Sequence, residues 1–283
     1  MISGIFQFEF LQNAFLTGII IGALAPLLGV FVVVRRMSLI ADALSHVTLA
    51  GIALSLLLEK RFMALAGLNP LYLGMAFSVA GSLFIERLRN VYRHYQELAI
   101  PIILSGGIGL SVIFISLAEG FNTDLYGYLF GSVSAVSRTD LWVVVAVFLI
   151  VVLTVILLYK ELFLLSFDEE HARASGIPSK WIHFIFIIMV AMVISVSMRI
   201  VGILLVSALM TLPVAASLRF ANGFKQTIFF SILFGEISVI AGLFLSYYLD
   251  LAPGGTIVII AVGLLVTAIL IGKRKKTKWG EGK

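Results

Sequence analysis

Apolar runs about twenty residues long recur from one end of this chain to the other, separated by short polar breaks, and no other feature restricts the fold as tightly. A helix of about twenty residues rises through the ~30 Å hydrocarbon core of a bilayer, where no water is present to satisfy an irregular backbone. With 61% hydrophobic residues over 283 positions, the sequence reads as all-α: a polytopic transmembrane helical bundle forming one domain over residues 1–283. That length leaves no room for a soluble catalytic domain, so the function must lie in the bundle and its loops.

The runs predict about nine spans. They cover about Phe10–Val34, Ser38–Leu58, Leu68–Ile85, Leu98–Ala118, Leu141–Tyr159, Ile182–Val196, Ile200–Leu218, Gln226–Tyr248 and Thr256–Gly272. Between the fourth and fifth, Glu119 to Thr139 is too polar to cross cleanly, and its centre, Leu125–Val136, reads as a short helix lying on or dipping into the outer face. A tight turn at Ser197-Met198-Arg199 is expected between the sixth and seventh. Pro213 should kink the seventh and free a backbone carbonyl. Ser105-Gly106-Gly107 and Gly109 permit close helix approach in the fourth.

The net charge of +5 comes from Lys and Arg gathered at the ends of apolar runs, which is a topology signal and not a nucleic-acid surface. Arg35-Arg36, the group Arg87, Arg89, Arg93 and His94, then Arg219, Lys225 and the basic tail 273–283 all fall on one side. The positive-inside rule places that side in the cytoplasm, with the N-terminus outside and the C-terminus inside a bacterial-type cell membrane, in contact with lipid. Glu59-Lys60-Arg61 conflicts mildly with this. No basic residue precedes Arg35 and Glu9 lies early, so the first run reads as a retained span and not a leader. Cysteine is absent, which excludes disulfides and thiolate sites and leaves His, Asp, Glu, carbonyls and water to hold any metal.

The stretch RRMSLIADALSHVTLAG, Arg35 to Gly51, opens an apolar span with Asp42 and His46 four residues apart. Side chains at that spacing share one helix face, so a carboxylate and an imidazole are able to approach one ion. Ionisable groups in a span normally face protein or water and serve function. A plainer reading has Asp42 suiting the helix dipole close behind Ser38 as N-cap, with His46 a satisfied core histidine. Glu236 is buried in the eighth span, where gating the path and bonding a hydroxyl are both open readings. The interval 160–180 is the longest charged one before the tail: Asp168, Glu169 and Glu170 precede Ala172, Arg173 and Ala174, and Gly176 with Pro178 stops the run. It predicts a short cytoplasmic helix with a hard end, the alternative being an ordinary amphipathic linker. His94 and His171 read as surface residues.

Val32 to Gly51, LYGYLFGSVSAVS (Leu125 to Ser137), FDEEHARASGI and VGILLVSALMTLPVAASLRF (Val201 to Phe220) together resemble the permease subunits of zinc and manganese ATP-binding-cassette importers, over about Phe8 to Ile271. A weaker likeness links the group to the vitamin B12 and siderophore permeases, helical bundles paired across a two-fold axis. The resemblance implies that Asp42 and His46 contact the transported metal and that Phe167 to Pro178 (Phe167, Asp168, Glu169, Glu170, Ala172, Arg173, Gly176, Pro178) is the coupling helix for an ATPase. It also implies two partners, a cytoplasmic ATP-binding subunit and an extracytoplasmic metal-binding protein, and gives Glu236 no role.

One Asp42/His46 pair supplies two ligands where zinc takes four, the rest being waters or the same pair from a second copy; a homodimer is the expectation adopted. No cofactor is expected to be bound permanently. The cargo is expected to be Zn2+ or Mn2+, since the imidazole disfavours calcium and magnesium, and zinc is placed first because SLIADALSHVTLAG resembles the zinc members of the family. Protons compete for imidazole, so uptake should weaken as pH falls through the histidine range. No G-x-x-x-x-G-K-[ST] motif occurs, so ATP hydrolysis is expected on the partner subunit and this chain is not an enzyme. The alternatives are an ATPase-independent secondary transporter or channel using Asp42, His46 and Glu236, and an intramembrane metalloenzyme, which the lack of H-E-x-x-H opposes.

Overall fold

The computed structural model describes residues 9–62, 69–92, 94–118, 123–133 and 136–280, and among them every regular element is a helix. In chain order these are α1 (Glu9–Val34), α2 (Leu39–Arg61), α3 (Pro70–Val91), α4 (Ala99–Leu117, entered through the 3₁₀ turn Gln96–Leu98), α5 (Thr123–Phe130) and α6 (Arg138–Leu157). Then follow α7 (Tyr159–Phe167), α8 (Glu169–Ala174), α9 (Ser179–Val201), α10 (Val206–Ser217), α11 (Phe224–Leu249) and α12 (Pro253–Gly280). Arg93, Glu119, Gly120 and Phe121, which figured in the sequence reading, lie outside the described residues.

Among the described residues eight helices are long and apolar enough to cross a membrane: α1, α2, α3, α4 with its 3₁₀ lead, α6, α9, α11 and the Pro253–Ile271 part of α12. The remaining traverse of the expected nine belongs to α10. Its 12 residues rise only ~18 Å, so it is completed by the irregular residues before it.

Side-chain contacts sort the helix ends into two groups. At one end, Glu9 pairs with Arg138 (2.5 Å), Asn69 with Asp140 (2.5 Å), and Lys60 reaches the Ala118 carbonyl (3.4 Å). We call this the α5 end. At the other, the α8 end, lie the α1–α2 turn, the close of α3, α7, α8 and the start of α9. The chain therefore alternates direction, with its first described residue and its last at opposite ends. α1, α2 and α9 form the interior, whereas α4 and α12 are the least covered of the spanning helices.

The corner between α9 and α10 lies elsewhere than polarity suggests. Ser197-Met198-Arg199 is helical, and the chain breaks at Gly202, whose φ of +83° with ψ of 151° is a conformation that glycine takes without strain and other residues do not. Arg199 stays in the helix because it has partners there: its guanidinium lies 4.7 Å from the centre of the Tyr128 ring, and its Nε lies 3.6 Å from Asp140 Oδ2. Asp140, 1% exposed, also accepts from the Ser137 amide (3.1 Å) and hydroxyl (2.8 Å) at the start of α6. The segment after α4 forms the eight-residue α5, which docks on this corner: Ile203 N–H donates to the Tyr128 carbonyl (2.9 Å), and Ser132 N–H to that of Arg199 (3.0 Å).

A Cβ at Gly202 would fall within 2.5 Å of the Leu129 carbonyl oxygen, while nothing lies within 4 Å of one at Gly255. Gly202→Ala should therefore destabilise the protein by at least about 1–3 kcal/mol, the cost of a non-glycine residue in that backbone region before any clash. Gly255→Ala should stay within about 0.5 kcal/mol of the parent. Thermal unfolding of the two variants in the same detergent checks this.

Candidate functional site

Local structure places Asp42 and His46 immediately after a tight reversal. α1 ends in a Schellman motif: Met37 N–H bonds the Val32 carbonyl (2.9 Å) and Arg36 N–H that of Val33 (3.0 Å), with Arg36 itself left-handed at φ 56°. α2 then starts at Leu39, setting Asp42 one turn in and His46 two turns in. Ser38 occupies the N-cap position in right-handed helical conformation and makes no side-chain cap bond. The capping role weighed for this turn is thus unfilled.

Ile40, Ala41, Ala43 and Leu44 are completely buried, whereas Leu39 is 57% exposed and Asp42 and His46 are half-buried. The pair lies on the open stripe of an otherwise enclosed helix. Among the described residues no hydrogen bond or ion pair ties either side chain to a neighbour, and the carboxylate is close enough to act electrostatically on the imidazole. α4 crosses the outer side of this stretch. A Cβ at Gly107 would lie 2.9 Å from the Val47 backbone nitrogen and 3.1 Å from the His46 carbonyl carbon, so a glycine is what lets α4 lie against the His46 backbone. No group of three or more metal-ligating side chains occurs among the described residues. One copy of the chain thus offers two ligands here.

Glu236 is not brought to this pair. It lies half-buried midway along α11, which packs on α1, α10 and α12, whereas α2 is flanked by α3, α4, α9 and α10. The Glu236 carboxyl carbon would be 3.3 Å from a Cβ at Gly22 of α1. No hydrogen bond joins it to a hydroxyl among the described residues.

The expected short helix in the charged interval is α8, and both of its ends are built. Asp168 Oδ1 accepts from His171 N–H (2.8 Å) as N-cap. At the C-terminus Ile177 N–H bonds the Ala172 carbonyl and Gly176 N–H that of Arg173 (both 3.1 Å), with Gly176 left-handed at φ 81°. Arg173 pairs with Glu169 (2.6 Å) and donates to Ser179 Oγ (3.1 Å), which braces the turn against α9. Only Ala172 is buried; Phe167, Asp168, Glu169, Glu170 and Pro178 are exposed. His94 and His171 are exposed as expected.

A polar cluster at the same end escaped the sequence reading. His183 Nε2, on α9, lies 2.8 Å from Arg89 Nη1 and 3.0 Å from Glu86 Oε2, both on α3. One ring nitrogen serves only one of them, accepting from the arginine or donating to the carboxylate. When it accepts, Glu86 Oε2 is buried without a donor. Beside this cluster lies Arg35, its guanidinium centre 5.0 Å from that of the Phe186 ring. A basic residue at the membrane end of a span is indistinguishable in sequence from a topology signal.

The bundle of bilayer-length apolar helices defines a multi-pass membrane protein. The chain belongs to the ABC 3 transport family, whose model matches residues 7–272. It is 34% identical over 275 residues to the manganese transport system membrane protein MntC of Listeria monocytogenes, covering 97% of this chain and 95% of that one. It superposes on a chain of PsaBC from Streptococcus pneumoniae in complex with Fab with a TM-score of 0.82 and 33% identity, over 94% of this chain and 93% of that one. An inward-facing metal-chelate type ABC transporter gives a TM-score of 0.68 at 16% identity, covering 92% and 85%, which supports the fold alone.

Gly176→Val removes the one residue type that takes φ 81° freely. The left-handed penalty of about 1–2 kcal/mol should speed amide exchange at Ile177 roughly tenfold, with α9 amides unchanged. Hydrogen exchange read by mass spectrometry checks this.

Proposed function

We propose that this chain is the membrane subunit of an ATP-driven importer of divalent transition metal, with Asp42 and His46 as its ligands in the path. The observation that carries this reading is the pair itself: an acid and an imidazole on the open stripe of a core helix, held by no other side chain among the described residues. A two-fold axis bringing α2 near its counterpart would assemble two carboxylates and two imidazoles from a homodimer. The charge of a dication balances both carboxylates and offsets part of their desolvation cost. Nitrogen and oxygen ligands without thiolate bind firmly enough for entry and loosely enough for release.

Ligand chemistry admits both zinc and manganese. The sequence reading put zinc first; the Listeria relative is named for manganese, which makes Mn2+ the first cargo to test. Energy enters at α8, whose exposed turn docks on a cytoplasmic ATP-binding subunit, and an extracytoplasmic metal-binding protein delivers the ion at the α5 end. In this orientation the α8 end, with Arg35, Arg36, Arg87, Arg89, Arg219 and Lys225, faces the cytoplasm. Glu236 stands apart from the ligand pair and is assigned to the lining of the path at the level of α11.

Asp42→Asn and His46→Ala should each lower Mn2+ and Zn2+ uptake at least ~100-fold, the upper end of what losing even a supporting partner of a metal site costs. Both variants should insert normally and keep the ATP-binding subunit bound. Gly176→Val should do the reverse, weakening that subunit's retention and ATP turnover with metal binding intact. Metal binding and ATP-binding-subunit retention, measured beside uptake into proteoliposomes, separate these outcomes, and transport by this chain without any ATPase overturns the reading.

A further inference from the structure

A cavity of about 230 Å³ opens at the α8 end between the α1–α2 turn, α3, α7–α8 and α9. Its polar lining comes from Arg35, Arg36, Arg89, Ser166, Glu169 and His183. We propose that this cavity is a socket for an acidic side chain of the ATP-binding subunit, so that the subunit grips the chain at the turn leading into α2 as well as at α8.

The electrostatics of the cavity are incomplete. Arg35 Nη1 is buried without a hydrogen-bond partner among the described residues. Burial brings the Arg35 pKa down to about 10; Glu169 opposes that and Arg89 adds to it. Neither neighbouring carboxylate bonds Arg35 among the described residues. Glu169 is held by Arg173 at 2.6 Å, and Glu86 lies beside Arg89 (4.0 Å) and His183 (3.0 Å). Arg89 is itself engaged by His183 and by Gln96 Oε1 (3.2 Å). What is missing is an acceptor for Arg35.

The backbone supports the same conclusion. Arg36 occupies the left-handed C′ position of a Schellman motif, where glycine is unstrained and another residue costs about 1–2 kcal/mol. A carboxylate entering the cavity accepts charge-assisted hydrogen bonds from two adjacent guanidiniums, an arrangement that recompenses both the burial and the strain.

The wall of the cavity indicates where that carboxylate comes from. Ser166, Phe167 and Glu169 are the approach to α8, and under the function proposed above, on which this inference rests, α8 lies against the ATP-binding subunit. The cavity mouth therefore faces that subunit. Arg35 and Arg36 lead directly into the helix carrying Asp42 and His46, so the contact reaches the ligand pair through α2 alone.

The test uses the full chain co-purified with its cognate ATP-binding subunit. Arg35→Gln should weaken retention of that subunit about tenfold or more, since truncating one side of a buried charge pair acts on dissociation. Arg35→Lys should recover part of the loss, and Mn2+ binding to the solubilised permease should stay within about twofold of the parent, a margin well inside the context scatter of such couplings. Because the chain has no cysteine, Arg36→Cys gives a single attachment for a benzophenone maleimide, which should photo-crosslink to the ATP-binding subunit even if Arg35→Gln fails to fold. Loss of retention in Gly176→Val with full retention in Arg35→Gln overturns the socket and leaves the α8 contact standing. Failure of the parent chain to retain the subunit overturns both. Retention unchanged in Arg35→Gln, with loss of a phospholipid adduct in native mass spectrometry or of a phosphate-dependent thermal shift, makes the occupant a lipid headgroup or free phosphate and overturns the proposal.

Discussion

Hydrocarbon offers the backbone no hydrogen-bond partner, and every departure from regular helix in this protein has to be answered from within. The break between α9 and α10 is answered by α5, through Tyr128 with Ile203 and Arg199 with Ser132. Pro26 inside α1 has no N–H to give the Gly22 carbonyl, and the protein packs Gly235 of α11 against that exposed oxygen. Several hydroxyl groups follow the same rule at smaller scale, although Thr17 Oγ1 and Ser45 Oγ are buried without a partner among the described residues. Thr48, Ser195, Ser197, Thr211 and Ser238 each donate to the carbonyl four residues back in their own helix, at 2.7–2.8 Å. A hydroxyl satisfied by its own helix is buried at little cost and demands nothing from a neighbour.

Against that background, a polar side chain with unmet demand is informative. Asp140 is the most enclosed acid described and is saturated, with Asn69, Ser137 and Arg199 around it; it holds the α5 end together. Asp42, His46 and Glu236 are half-buried in spans and unbonded, which is wasteful for architecture and suited to groups that exchange partners with an ion. Arg35 Nη1 at the α8 end is the same kind of exception in a cation.

How much of this is legible in sequence depends on distance along the chain. Length and hydropathy suffice for the spanning helices, and an acid and an imidazole four apart share a helix face whatever surrounds them. The two ends of α8 are equally local, with Asp168 before the turn and Gly176 after it. The corner after α9 was misplaced because Arg199 looks like a solvated turn residue, whereas its partners Asp140 and Tyr128 lie far away in sequence. The Arg89–His183 contact spans 94 residues, and no periodicity reports it. The same limit hid the separation of Glu236 from Asp42: both are acids in spans, and only the packing of α11 on α1, α10 and α12 shows that they occupy different parts of the bundle.

The placement of Asp42 and His46 near one end of α2 has a mechanical consequence under the proposed function. Asp42 lies three residues after Leu39, the first residue of α2, about 5 Å along a helix at 1.5 Å per residue, and no kink-forming proline or glycine intervenes. A displacement imposed on the α1–α2 turn is therefore delivered to the pair with little loss, since a regular helix of that length moves as a rod. α4 sets the opposing constraint, because Gly107 lies on the backbone at His46 and Val47 and leaves no slack on that side. A close-packed contact of this kind yields by switching between arrangements and not by stretching. Under the proposed function, force entering at the α8 end acts on Asp42 and His46 held between a lever and a stop, a geometry suited to releasing an ion in one step.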